Sequence, residues 1–139
     1  MTRPFALALA VAALAPLAAP AQEEVGDAEA GGDLYALYCA TCHGLNAEGD
    51  GPTAELLTVA PVDLTRLAAE NGGVFPVARV VRRIDGRDPV IAHGSPMPVF
   101  GPFFDGEGAA LRTPAGQPIL TSKPLADLVA WLRTIQEGG

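Results

Sequence analysis

Both cysteines of this chain and one of its two histidines fall within five consecutive residues, Cys39-Ala40-Thr41-Cys42-His43. On a helix, positions i and i+3 share one side, so the two thiols point the same way and the His43 imidazole follows directly behind them. With only two Met besides, any metal or cofactor chemistry must come from a very small set of side chains. C-x-x-C-H is the attachment signature of a c-type haem. The two thiols form thioethers to the vinyl groups of one porphyrin, and the adjacent imidazole reaches the iron. Other chemistries use similar residues. A thioredoxin-like pair calls for a βαβ pattern, which does not surround this one. A structural disulfide is geometrically open in an oxidising compartment. A zinc site wants four ligands, and the remaining His93 is at the wrong spacing.

The compartment follows from the first residues. Arg3 supplies a positive start, Phe5 to Ala15 an apolar stretch, and Ala19-Pro20-Ala21 a small-x-small cleavage pattern. Residues 1–21 therefore read as a signal peptide, with Gln22 as the mature N-terminus. Pro16 interrupts an apolar run already short for a bilayer span, and the alternative is an uncleaved anchor. The expected location is the periplasm, with no stable membrane insertion, which is also where covalent haem attachment is made. The formal charge is −7 for 139 residues. Cleavage removes one basic residue and no acid, so the mature chain is one unit more negative. That balance argues against nucleic acid as the main partner, because phosphate binding needs a basic face. The length suits one domain.

Residues 22–30 are acidic and small (Glu23, Glu24, Asp27, Glu29) and read as a loose arm before a domain over 31–139. The spacing predicts helices over Asp33–Cys42, Pro52–Val59, Leu64–Glu70, Pro76–Ile84 and Lys123–Gln136. The last is the best formed, with Ser122 as cap, Pro124 in the first turn and Leu125, Leu128, Val129, Leu132 and Ile135 on one face. Residues 88–121 hold much of the Gly and Pro and show no strong period. The fold class is all-α, short helices around a cofactor, with little evidence for a sheet. Seven mature aromatics are a thin supply of large core groups, which a bulky apolar cofactor would supplement.

These features together resemble the class I (mitochondrial-type) cytochromes c of bacteria. The resemblance runs from about Gly31 to Ile135. It rests on Leu34-Tyr35, Cys39-Ala40-Thr41-Cys42-His43-Gly44, Gly49-Asp50-Gly51-Pro52, Met97-Pro98 and the C-terminal helix carrying Trp131. It implies the cytochrome c fold around one covalent haem, with His43 as proximal ligand and a distant Met as the sixth. Met97 is the only Met after the leader and stands between Pro96 and Pro98, in a loop too Pro-rich to be helical. A Met is often core filler, but prolines on both sides suit a stiff approach to iron. His93 is the rival ligand. The resemblance also implies that the Pro52 carbonyl, in Gly51-Pro52, accepts the other His43 N–H; Pro61 is a second candidate. Tyr35 and Trp131 match a contact between the terminal helices, with Gly31 or Gly32 allowing close approach.

Arg79, Arg82, Arg83 and Arg87 form a basic cluster on an acidic chain. They read as partners for haem propionates, as a docking patch, or as the solvated face of an amphipathic helix. Phe100, Phe103 and Phe104 wall the distal side of the haem or rim a docking surface. His/Met ligation closes both faces of the iron, leaves no place for substrate and raises the potential. The expected function is therefore an electron carrier, not an enzyme: a monohaem protein, monomeric by default, passing one electron between redox partner proteins. The alternatives are a haem subunit of a dehydrogenase complex, a haem-based ligand sensor with a labile sixth position, and a non-haem thiol–disulfide module.

Overall fold

The computed structural model describes residues 26–87 and 97–138. The expected leader, residues 22–25 of the arm, and His93 and Pro96 of the ligand loop lie outside them.

The Asp27 carboxylate accepts the N–H groups of Glu29 and Ala30 at 3.0 and 3.2 Å, which caps helix α1 over Ala28–Tyr38. The acidic stretch expected to be a loose arm thus donates its last three residues to a helix. A distortion at Cys39 (φ −116°) separates α1 from α2, Ala40–His43, where the periodicity predicts one helix. Gly44, at φ 82°, ends it. Residues 52–59 form only a 3₁₀ turn at Ala54–Leu56. Residues 64–70 form two, Leu64–Arg66 and part of Ala69–Asn71. Helix α3, Val77–Asp85, buries Val77, Val80, Val81 and Ile84, the i, i+3, i+4, i+7 set of the sequence. Helix α4 spans Lys123–Thr134; Ser122 holds the cap position without a side-chain cap bond.

The stretch without a period contains an antiparallel hairpin, β1 (Gly108–Arg112) with β2 (Pro118–Ser122), in register Ala110 to Leu120. Strands were not expected here. Its turn closes with Thr113 N–H donating to the Gln117 carbonyl at 2.9 Å and Gly116 at φ 80°. Leu111 is buried while both its strand neighbours are exposed, so the hairpin lays one face on the rest of the domain. The molecule is otherwise helical, as expected, and no helix among the described residues is long and apolar enough to cross a membrane.

Helices α1 and α4 cross at Gly31, where a methyl group would overlap the Asp127 carbonyl. Tyr35 stacks on Trp131 with ring centroids 4.2 Å apart. At the end of the crossing, buried Asp127 accepts the Asp27 N–H at 2.7 Å and the Lys123 ammonium at 2.9 Å. Helix α3 closes the third side, and Leu125, Leu128, Val129 and Leu132 fill the middle. The far end of α4 fastens the 64–68 segment. Gln136 accepts the Ala68 N–H at 2.8 Å and donates to the Leu64 carbonyl at 2.8 Å. That strap forms one wall of the site.

Candidate functional site

Helix α2 and its two flanking segments assemble the site. Cys39 stands at the N-cap of α2, and Cys42 and His43 lie within it. Both cysteines are half-buried, free of disulfides, and on the wall of one cavity. Burial, with Cys42 alongside, pushes the Cys39 thiol up to about 11. A redox-active C-x-x-C needs the opposite shift, toward an accessible thiolate, so the thiol–disulfide reading is disfavoured.

His43 is buried, and its Nδ1 lies 3.1 Å from the Val62 carbonyl. A carbonyl only accepts, so Nδ1 carries the proton and Nε2 is the nitrogen with a lone pair for a metal. Burial holds the imidazole below its ordinary value, against the opposing pull of the Val62 bond. The ring is thereby kept neutral, as a metal ligand must be.

Here the structure corrects the sequence reading. The acceptor for His43 is Val62, not Pro52. The Gly51-Pro52-Thr53 loop is used otherwise: Gly51 N–H donates to the Cys42 carbonyl at 3.1 Å, and Thr53 N–H and Oγ1 donate to the Thr41 carbonyl at 3.1 and 2.8 Å. It satisfies the C-terminal carbonyls of α2, and Pro52 itself is exposed. A methyl on Gly51 would come 2.5 Å from the Cys42 carbonyl oxygen, which explains the glycine. Val62 follows Pro61, the second candidate of the sequence. Leu64 N–H donates to the Ala47 carbonyl at 2.7 Å, and Asp63 caps the next turn through the Thr65 N–H at 2.9 Å. Those two anchors hold the Val62 carbonyl in place. An X-Pro-X-Asp-x-Thr pattern carries that signal, an extended residue ahead of a capped turn.

Two adjoining cavities, about 400 and 360 Å³, have Cys39, His43, Val62, Arg83 and Met97 on their shared walls. Tyr38 and Phe100 line the first, and Leu67, Val80 and Leu128 the second. The three phenylalanines divide. Phe104 is buried, Phe100 lines the cavity, and Phe103 is 64% exposed. All three surround Tyr38, at centroid distances of 5.4 Å (Phe104), 6.0 Å (Phe103) and 6.3 Å (Phe100). Tyr38 borders the first cavity, while Tyr35 stacks in the helix crossing and also borders the second. The arginines divide as well. Arg83 lines both cavities and Arg79 the second, whereas Arg87 pairs with Asp85 and donates to the Leu120 carbonyl at 2.9 Å.

The porphyrin implied by the motif suits these residues. Two unlinked thiols one turn apart, a neutral imidazole with Nδ1 already engaged, and a thioether all border apolar walls. Among the described residues no group of three or more His, Cys, Asp or Glu is placed to hold a metal ion by itself. In comparisons with known proteins, the family model described as Cytochrome c matches residues 28–136. No curated protein and no solved structure matches the chain. The match begins at the first residue of α1.

Proposed function

The chain belongs to the cytochrome c family and has that family's haem-based electron-transfer role; from this premise we propose that it is an exported, monomeric carrier with one haem and His/Met axial ligation. The observation that carries the reading is that Cys39, Cys42, His43 and Met97 border a single cavity. Two cysteines suffice for one haem c. Cys39 and Cys42 hold it by thioethers, which prevent its loss from a small protein outside the cell. His43 would ligate the iron through Nε2, with the Val62 carbonyl fixing ring and tautomer. Met97, on the wall of the same cavity, would supply the second iron ligand through its thioether.

Bound there, the haem supplies a one-electron couple whose potential is raised by a thioether ligand. The chain supplies the rest. Apolar walls of Leu67, Val80, Leu128 and Phe100 keep water from the metal, and rigid anchoring of His43 limits the reorganisation that accompanies electron transfer. With both axial positions taken there is no site for a substrate, so redox proteins are the partners. The leader over residues 1–21 directs the chain to the periplasm.

The test is the absorption spectrum of protein matured with haem-attachment machinery. A cytochrome c spectrum that survives extraction by acidified organic solvent is expected. A colourless product, or pigment that the solvent removes, overturns the reading. Tight CO binding by the native ferrous protein at neutral pH would favour the ligand sensor instead.

A further inference from the structure

We propose that the lobe over residues 48–62, on the Val62 side of the first cavity, is a docking surface for a redox protein that presents an apolar patch ringed by Lys and Arg. This rests on the electron-carrier reading above. Gly49 packs on Pro61, where a methyl group would come 2.5 Å from the carbonyl oxygen, so residues 48–50 and 57–62 share one surface. Leu57, Val59 and Val62 all border the first cavity, yet each is exposed, Val59 by 54% and Val62 by 60%. They therefore stand at its rim. Leu56, next to Leu57 in the chain, is 81% exposed. A contiguous group of exposed apolar side chains with polar residues around it marks an interaction surface.

The surrounding charge is of one sign. Glu48, Asp50 and Glu55 are exposed, and none of them is in an ion pair among the described residues. Residues 22–65 hold nine acids and no lysine or arginine, and every cation after Arg3 lies beyond them. An acidic rim repels a second copy of this chain and an anionic lipid surface, and it attracts a basic partner. The first cavity has another apolar margin at Pro98 and Phe100, but there the arginine Arg83 shares the wall. A basic partner therefore takes the 48–62 side. That side also connects directly to His43. The Val62 carbonyl accepts from His43 Nδ1 at 3.1 Å, and the side chain of the same residue is at the surface. A partner seated on Val62 is one hydrogen bond away from the imidazole.

The test uses ferrous holoprotein and two tricationic complexes with apolar aromatic ligands. Tris(phenanthroline)chromium(III) takes no electron from the protein and, being paramagnetic, broadens the proton signals of the residues it touches. The methyl signals of Leu56, Val59 and Val62 should broaden first, and added salt should reverse the effect. Tris(phenanthroline)cobalt(III) takes one electron, leaving cobalt(II) and the ferric protein, and stopped-flow absorption reads the rate. At low ionic strength Glu48→Gln/Glu55→Gln should slow this step about fivefold. The charge-matched pair Glu29→Gln/Glu107→Gln, at the Lys123 end of the domain, should slow it less than about twofold, because screening weakens distant charges. Val59→Ser should slow it as well, with the potential unchanged. Hexacyanoferrate(III), an anion, should react faster with Glu48→Gln/Glu55→Gln than with wild type.

Broadening confined to Val99 and Phe103 would overturn the assignment, and so would equal slowing by the two glutamine pairs. An unaltered rate in Val59→Ser would do the same; should that variant not accumulate, the broadening pattern of wild type decides by itself. A holoprotein dimer in sedimentation that Val59→Ser dissociates would give the face to a second copy and overturn the basic partner. A product without covalent haem would instead strike the underlying reading, and the absorption spectrum recorded before mixing separates the two failures.

Discussion

Replacing Tyr35 by Phe removes one oxygen from the helix crossing and leaves the ring stack on Trp131 in place. The Tyr35 hydroxyl is buried and donates to the Gly44 carbonyl at 2.6 Å. That carbonyl lies one residue beyond His43, so the bond ties α1 to the end of the haem-binding helix. A buried hydrogen bond contributes about 0.5–1.5 kcal/mol net, and an orphaned partner adds about 1–3 kcal/mol. Gly44 is not orphaned here, because its oxygen also accepts the Ala47 N–H at 3.2 Å. The loss from Tyr35→Phe should therefore be about 1 kcal/mol. Guanidinium unfolding of the ferric holoprotein, followed at the haem band, should show a lower midpoint and an unchanged slope. A loss above about 2 kcal/mol would mean that Ala47 does not compensate. No loss would mean that the hydroxyl bond is absent from the holoprotein.

The same pair of proteins tests a pH dependence. Burial foremost, and Asp50 with it, holds the Tyr35 phenol well above its ordinary value of 10.0; Cys39 also contributes while it is a free thiol. The folded state thus favours the neutral phenol. The stability it gives is fully present below about pH 10 and falls as pH rises past that value, where only the unfolded chain ionises. Wild type should lose its advantage over Tyr35→Phe in that alkaline window and keep it at neutral pH. A difference that stays constant through the window would refute the assignment.

Met97→Ala should still yield covalent holoprotein, with a lower potential and a ferrous form that takes up CO; an unaltered ferric spectrum and potential would remove Met97 from the iron. Pro52→Ala should leave the potential unchanged within a few millivolts, because Val62 and not Pro52 accepts from His43; a large shift would reinstate Pro52. Chain produced without haem attachment should show little fixed tertiary structure by near-ultraviolet circular dichroism, since cavities of about 400 and 360 Å³ adjoin the core residues Val80, Ile84, Leu128 and Leu132. A sharp cooperative thermal transition of that apoprotein would count against the cofactor as core.

What could be read from the chain without coordinates follows from how local each signal is. The α3 face of Val77, Val80, Val81 and Ile84 and the apolar face of α4 are set within a few helical turns and appear where periodicity puts them, and the C-x-x-C-H group keeps both thiols on one cavity wall although the helix breaks at Cys39. The α1–α4 crossing came from the family resemblance, which matched Tyr35 to Trp131 and left Gly31 or Gly32 as the point of approach; the structure places the crossing at Gly31. The hairpin was not legible. Its strands are five residues each, too short for a period to register beside Gly and Pro. The two weaker helices shrank to 3₁₀ turns because their backbone groups bond to distant partners: Thr53 to the Thr41 carbonyl, and Ala68 to the Gln136 side chain.

The misplaced acceptor for His43 has the same origin. Pro52 and Pro61 both follow the haem motif, and each leads into a short turn. Nothing within ten residues of His43 distinguishes them. The choice is made from the other end of the chain, where Gln136 and Glu137 bind the backbone of Leu64, Thr65 and Ala68. Those bonds fasten the segment that follows Val62, whereas the Pro52 loop is held by Gly51 and Thr53 on the carbonyls of α2, with Pro52 exposed. A truncation that removes Gln136 and Glu137 should therefore loosen the His43–Val62 bond more than any change at Pro52. The expected signs are a lower midpoint of unfolding and a shifted potential with both thioethers intact. An unaltered potential after that truncation would show that Leu64 N–H on the Ala47 carbonyl is enough to hold the strap.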